Sequence, residues 1–279
     1  MPTGLRIAVL SLLISLACHA RVSPGRFPTD GDEPSDISVL TSARGRHDSD
    51  VTLRNRAGRL WQARRERDWA VSYEFEEPKV RERMSLEDYV VRAAELQPFN
   101  IESFELIRAE SKLDRGWALV RHRSSLVRFP DVPARQVEMW QKWRRINRQW
   151  YPVPPRELIA YPEAPALRDA DQETRLERRF EESWKYRRTK NWSELYRLCD
   201  PQDSIMIDEK EFNLAESMID YLSHELDWVE VIGRRGRIRV GYHHKLADPS
   251  LTKLQPTTTF VIEYWVQRGD TWYRDMKRP

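Results

Sequence analysis

Apolar and polar positions follow the same order twice in this chain, passing each time from helical segments to short strand-like ones. In the first round Leu60 to Arg67 runs into Asp68-Trp69; in the second, Trp184 to Lys190 runs into Asn191-Trp192. Asp and Asn cap helix N-termini because their side-chain oxygens accept orphaned backbone N–H groups. One helix is therefore predicted to end near residue 67 or 190, and a short second one to begin at once. Pro78 and Pro201 are expected to close that second helix, since proline cannot continue the hydrogen-bond ladder. A third helix is announced by Met84-Ser85-Leu86-Glu87-Asp88-Tyr89 and by Ile207-Asp208-Glu209-Lys210-Glu211-Phe212. Ser85 and Asp208 are its caps, and Asp88 and Glu211 place acids near the positive helix end. Met84 with Tyr89, and Ile207 with Phe212, hold the two positions of a hydrophobic staple.

Strand-like runs follow. Phe104 to Ile107, Trp117 to Val120 and Leu126 to Phe129 make up the first set, and Trp228 to Ile232, Arg237 to Tyr242 and Thr257 to Val266 the second. Gly233-Arg234-Arg235-Gly236 reads as a hairpin connection. Each round closes on W-x6-W-Y, formed by Trp143, Trp150 and Tyr151 and again by Trp265, Trp272 and Tyr273. Arg145 to Arg148 and Arg268-Gly269-Asp270 are the turns of these closing hairpins.

Tryptophan sets the frame of the duplication. Trp61, Trp69, Tyr73 and Pro78 stand as W-x7-W-x3-Y-x4-P, and so do Trp184, Trp192, Tyr196 and Pro201. Eight of the 11 Trp residues fall into such matched pairs, separated by 122 or 123 positions. Solenoid and propeller repeats run at roughly 20–50 residues, so this spacing is the size of a small domain and implies two copies of one fold. Helices first and strands afterwards argue an α+β class, each copy carrying about three N-terminal helices on a curved antiparallel sheet of about four strands. Large aromatics bury roughly 150–250 Å² each. Residues kept by both copies are thus expected to fill the core rather than to stack on a ligand.

The element order and the aromatic frame resemble the nuclear transport factor 2-like superfamily, which includes ketosteroid isomerases and polyketide-cyclase-like proteins. The resemblance covers about residues 53–155 and 174–279. It implies cone-shaped domains with an apolar cavity at the open end of each sheet and, in enzymatic members, an acid–base residue inside it. The expected layout is a signal segment over 1–20, a flexible tether over 21–50, a first domain over 51–155, a proline-rich linker over 156–173 and a second domain over 174–279.

Charge removes one function class. Lys and Arg number 47 against 44 Asp and Glu, a net charge of +3, and most of the Arg pairs have carboxylates close by. A nucleic-acid footprint needs a sustained basic stripe, so no nucleic-acid partner is expected.

The N-terminus reads as an address. After Arg6, Ile7 to Ala17 is an uninterrupted run of apolar residues and Ser. It is too short to cross a bilayer, which takes about 20 residues, and has the size of a secretory signal core. Ser15-Leu16-Ala17-Cys18 resembles the lipobox of bacterial lipoproteins, in which the Cys is acylated; Ser15 departs from the aliphatic residue usual there. The alternative is plain signal cleavage after Ala20. Pro24, Pro28 and Pro34 among many Asp and Ser residues suit a tether. The expectation is an exported protein anchored to the bacterial cell envelope by a lipid on Cys18, or else secreted or periplasmic. Cys199 is the only other cysteine and reads as a small buried residue near a helix end.

No motif names a reaction. The chain has no G-x-S-x-G elbow, no Walker loop and no H-E-x-x-H. His243 and His244 are adjacent in a strand and project to opposite faces, while His122 lacks a nearby Cys or His. Neither a metal nor another cofactor is expected. What the resemblance leaves to weigh is Glu263, a lone carboxylate among uncharged strand residues, with Tyr242, Tyr264 and Trp265 as possible cavity neighbours. A general base must reach its substrate and be tuned by burial. Yet Gln141 stands where the first copy would need the same acid. This favours a binding or scaffolding module for a protein or small apolar ligand over an isomerase- or cyclase-type enzyme with one active cone.

Overall fold

The computed structural model describes residues 36–203, 207–248 and 254–276, with side chains from residue 48 onward. Cys18, Ala20 and the rest of the expected signal lie outside them, as does the tether up to residue 35. The chain divides into two compact units, one of Pro34–Thr174 with Glu230–Arg234 and one of Arg175–Val229 with Arg235–Pro279.

The first unit opens with α1 (Asp36–Glu66), α2 (Trp69–Tyr73), α3 (Pro78–Arg81) and α4 (Leu86–Leu96). Strands β1 (Phe99–Lys112), β2 (Arg115–Leu126), β3 (Arg135–Ile146) and β4 (Gln149–Pro152) follow and pair antiparallel in chain order. After two short 3-10 turns come α5 (Ala170–Arg188), α6 (Trp192–Tyr196) and α7 (Glu209–Ser217). A second four-stranded sheet closes the chain, with β5 (Ile219–Ile232), β6 (Arg235–Leu246), β7 (Thr257–Arg268) and β8 (Thr271–Arg274). The class is α+β, with helices preceding each antiparallel sheet. Corresponding strands are of equal length: 14, 12, 12 and 4 residues in both copies.

The helix caps explain the shared frame. Asp68 accepts from the Val71 N–H at 2.9 Å and Asn191 from the Glu194 N–H at 3.4 Å. Ser85 accepts from Asp88 at 3.1 Å, whereas Asp208 accepts from Lys210 at 2.6 Å, one residue earlier than the sequence suggests. The framed tyrosines lock the chain between helices. The Tyr73 hydroxyl donates to the Met84 carbonyl, and the Tyr196 hydroxyl donates to that of Ile207, each at 2.7 Å. Their rings meet Tyr89 and Phe212 at 5.3 and 5.4 Å between centroids.

Three expectations need correction. Pro78 does not close α2, which ends at Tyr73; it opens α3 at the first helical position, where its missing N–H would be an orphan anyway. Pro201 lies in a turn after α6 has ended at Tyr196. Leu126–Phe129 is not a strand of its own: Leu126 ends β2 and meets Phe129 in an isolated bridge, and the third strand is Arg135–Ile146. That strand carries Arg135, Gln136, Glu138, Gln141 and Lys142, so its apolar pattern is broken on both faces. Helix α1 also begins at Asp36, inside the segment read as tether. No proline follows Pro34 there, and a single Gly45 costs a helix only about 1 kcal/mol.

In the first core, Leu53, Ala57, Leu60 and Trp61 of α1 pack on Ile101, Ala118, Val120, Trp143 and Trp150 from the sheet. Of the eight framed tryptophans, Trp61, Trp143, Trp150, Trp184, Trp265 and Trp272 are buried, and Trp69 and Trp192 are half-buried. Gly116 and Gly236 keep room for this packing. A Cβ on Gly116 would stand 2.7 Å from Leu53 and 3.0 Å from Trp150; one on Gly236 would strike Leu176 and reach Trp272 at 3.3 Å. The opposite face of the first sheet is covered by the proline-rich segment, whose Tyr161 and Ala164 are buried with Trp117 and Val153. Lys142 Nζ pins it by donating to Glu163 at 2.7 Å and to the Tyr161 carbonyl at 3.0 Å.

Candidate functional site

The end of α1 brings Trp61 and Arg64 over one face of the first sheet, where alternate strand residues point the same way. Between them lies a cavity of about 590 Å³. Ile101 of β1, His122 and Ser124 of β2, and Val137 and Met139 of β3 line it, with Arg135 among the strand residues. The volume falls in the roughly 300–1,000 Å³ range of small-molecule sites. No carboxylate is among the lining residues.

Each polar group at this site has a distinct state. Trp61 Nε1 donates to Gln141 Oε1 at 2.9 Å, and the Trp61 ring lies 5.0 Å from that of His122. His122 Nδ1 is buried with no hydrogen-bond partner, and burial lowers the imidazole's pKa, so the ring is neutral at neutral pH. Burial also lowers the pKa of Arg64, opposed by Tyr89 and then Glu76 nearby. Glu76 in turn is raised by burial, and the neighbouring Tyr89 hydroxyl is pushed up to about 12, first by burial and then by Glu76. Among the described residues Arg64 has no carboxylate within 4.0 Å, and its guanidinium lies 6.0 Å from the Trp61 ring.

In the second copy the corresponding arginine is tied into a buried ion cluster. The helices correspond at a shift of 123 (Trp61 to Trp184), the first two strands at 120 (Phe99 to Ile219) and the last two at 122 (Trp143 to Trp265). Arg187, the counterpart of Arg64, is fully buried and donates to Glu263 Oε1 at 2.8 Å, to the Tyr242 hydroxyl at 3.0 Å and to Ser183 at 3.2 Å. Tyr242 also donates to Glu263 at 2.9 Å. Arg274 closes the group, 3.6 Å from Glu263 and 3.2 Å from Glu216, which accepts from the Tyr221 hydroxyl at 3.0 Å. Burial alone would push the Glu263 carboxyl up. Arg187, Arg274 and the Tyr242 hydrogen bond outweigh it and hold the group below the usual carboxylate range. Burial pushes Tyr242 and Tyr221 well above the ordinary tyrosine value, so both stay neutral donors.

The residues singled out from sequence sort accordingly. Glu263, Trp265 and Tyr242 point inward and are buried; Tyr264 is half-buried on the other face of β7. Glu263 and Tyr242 meet in the ion cluster, whereas Trp265 packs beneath Gly236 in the core. His244 is buried and bonds Thr259 at 3.2 Å, and half-buried His243 bonds Thr258 at 3.2 Å. The counterpart of His122 is Tyr242, at the strand shift of 120. Cys199 is buried beside Leu195, Leu198 and Phe212, and burial pushes its thiol up to about 11. No cluster of three or more metal-ligating side chains occurs among the described residues. Arg64, Arg187 and Arg274 were not singled out by the sequence reading. The same shift that pairs the tryptophans would have paired the first two.

No family model matches the chain, and no curated protein matches it. Among solved structures it is similar to a SEC-C motif containing protein from Rhodopseudomonas palustris, with 12% identity and a TM-score of 0.29 over 33% of this chain and 68% of that one. It is also similar to a nuclear transport factor 2-like protein involved in plasmid conjugation, with 12% identity and a TM-score of 0.27 over 63% of this chain and 76% of that one. The latter is a weak structural neighbour.

Proposed function

We propose that this protein is a two-domain binding module of the cell envelope, in which the first unit takes a small apolar molecule and the second is a closed structural copy. The asymmetry between the copies carries the reading: a cavity of about 590 Å³ in one, a buried ion cluster at the equivalent place in the other. It also weighs against the isomerase- or cyclase-type alternative. Glu263 is engaged by two arginines and a tyrosine, the reverse of the raised pKa that a general base at neutral pH needs. Decanol, an uncharged amphiphile, is expected to bind with a stoichiometry of one per chain by titration calorimetry. Val137→Trp, a bulky replacement at a 44% exposed cavity position, is expected to abolish binding without lowering the melting temperature. Two sites per chain, or unchanged binding in that variant, would place the ligand elsewhere.

Export rests on the N-terminal apolar run and Cys18. Radiolabelled palmitate fed to an expressing bacterium is expected to label the wild type and not Cys18→Ser. Label persisting in the variant would remove the lipid anchor.

A further inference from the structure

We infer that the ligand of the first cavity is an apolar-tailed carboxylate whose head group pairs with Arg64. This deepens the binding reading above and rests on it. The duplication supplies an internal comparison. In the second copy Arg187 is held by Glu263, Tyr242, Glu216 and Tyr221, with Arg274 alongside. At the corresponding shifts the first copy has Gln141, His122, Ala93, Ile101 and Pro152. The arginine alone is retained, and both carboxylates are gone. Gln141 is neutral, and its carbonyl oxygen already accepts from Trp61.

An arginine in a partly desolvated wall is costly unless something anionic or hydrogen-bonding meets it. Glu76 is near enough to raise the pKa of Arg64 yet, among the described residues, forms no ion pair with it within 4.0 Å, and burial raises its own pKa. The charged side chains lining the cavity are Arg64 and Arg135, both cationic. The buried, unpartnered Nδ1 of neutral His122 adds a hydrogen-bonding group on the same wall. A guanidinium matches a carboxylate with paired N–H groups. Ile101, Val137 and Met139 then offer apolar surface to a tail. The ligand's carboxylate supplies to Arg64 the negative charge that Glu263 supplies to Arg187.

Titration calorimetry of the whole protein with decanoate, decanol and decylamine tests this. Decanoate is expected to bind about tenfold or more tighter than decanol, the size of one charge-assisted hydrogen bond, and decylamine weakest. Arg64→Gln is expected to reduce decanoate to the level of decanol while leaving decanol unchanged. Gln141→Glu, which places in the first copy the carboxylate the second already has, is expected to do the same. It keeps an acceptor for Trp61, so it serves if Arg64→Gln does not fold. Equal affinity for decanoate and decanol in the wild type, or a decanoate preference that survives both variants, overturns the anchor and leaves the apolar cavity standing. No binding of any of the three overturns both readings.

Discussion

Glu263→Ala is expected to destabilise the second unit by about 3–5 kcal/mol, the cost of leaving a buried charge unpaired. Arg187 and Arg274 balance Glu263 and Glu216 in that cluster, with the tyrosines neutral. Removing Glu263 leaves two guanidiniums sharing one carboxylate, Arg187 fully buried and Arg274 half-buried. Glu263→Gln keeps an acceptor for the Tyr242 hydroxyl but not the charge, so it too is expected to destabilise. The double variant Arg187→Met with Glu263→Met removes a matched pair and is expected to recover most of the loss, because buried pairs replaced by apolar groups are often near neutral. Denaturant unfolding gives the size, and hydrogen exchange of the β6 and β7 amides locates it. A loss under about 1 kcal/mol for the alanine variant would show the cluster to be wet and weakly coupled.

The same carboxylate sets an acid limit. Its folded pKa is depressed below the unfolded carboxylate value of about 4.3. Its contribution is therefore fully present above that value and is lost as pH falls through the folded one. Protection of β6 and β7 is expected to fall below about pH 4 in the wild type and to lose part of that pH dependence in Glu263→Gln.

Much of the fold could be read from sequence because its markers are local. Asp68, Ser85, Asn191 and Asp208 cap helices within three residues of themselves, and the Met84–Tyr89 and Ile207–Phe212 spacings are set by one helical turn. Strand β3 escaped because Lys142, beneath the proline-rich segment, and Gln141, against Trp61, put polar groups on both faces. The site was far less legible. Arg187, Tyr242 and Glu263 meet only through the sheet, and their counterparts are found by three different shifts: 123 in the helix, 120 in β6 and 122 in β7. Gln141 opposite Glu263 was visible as a difference between the copies. That this difference separates a cavity wall from a buried ion cluster required knowing which arginine faces it.

Trp143→Ala and Trp265→Ala are expected to destabilise their respective units by about 3–5 kcal/mol each, the range for deleting a large buried aromatic. Both side chains are at most 1% exposed, and each sits against the glycine that leaves its neighbour room: Gly116 pairs with Trp143, and Gly236 with Trp265. Those glycines cannot collapse inward to refill the space, so the cavity term is expected in full. Trp69→Ala and Trp192→Ala, half-buried at the starts of α2 and α6, are expected to cost clearly less than their buried partners in the frame. Separate denaturant midpoints for the four variants decide between packing and recognition. If the tryptophans were ligand platforms, the buried pair and the half-buried pair would be similarly tolerated and would instead differ in decanoate affinity. A core role requires the opposite ordering, with Trp143 and Trp265 intolerant and decanoate affinity untouched in any variant that still folds its first unit.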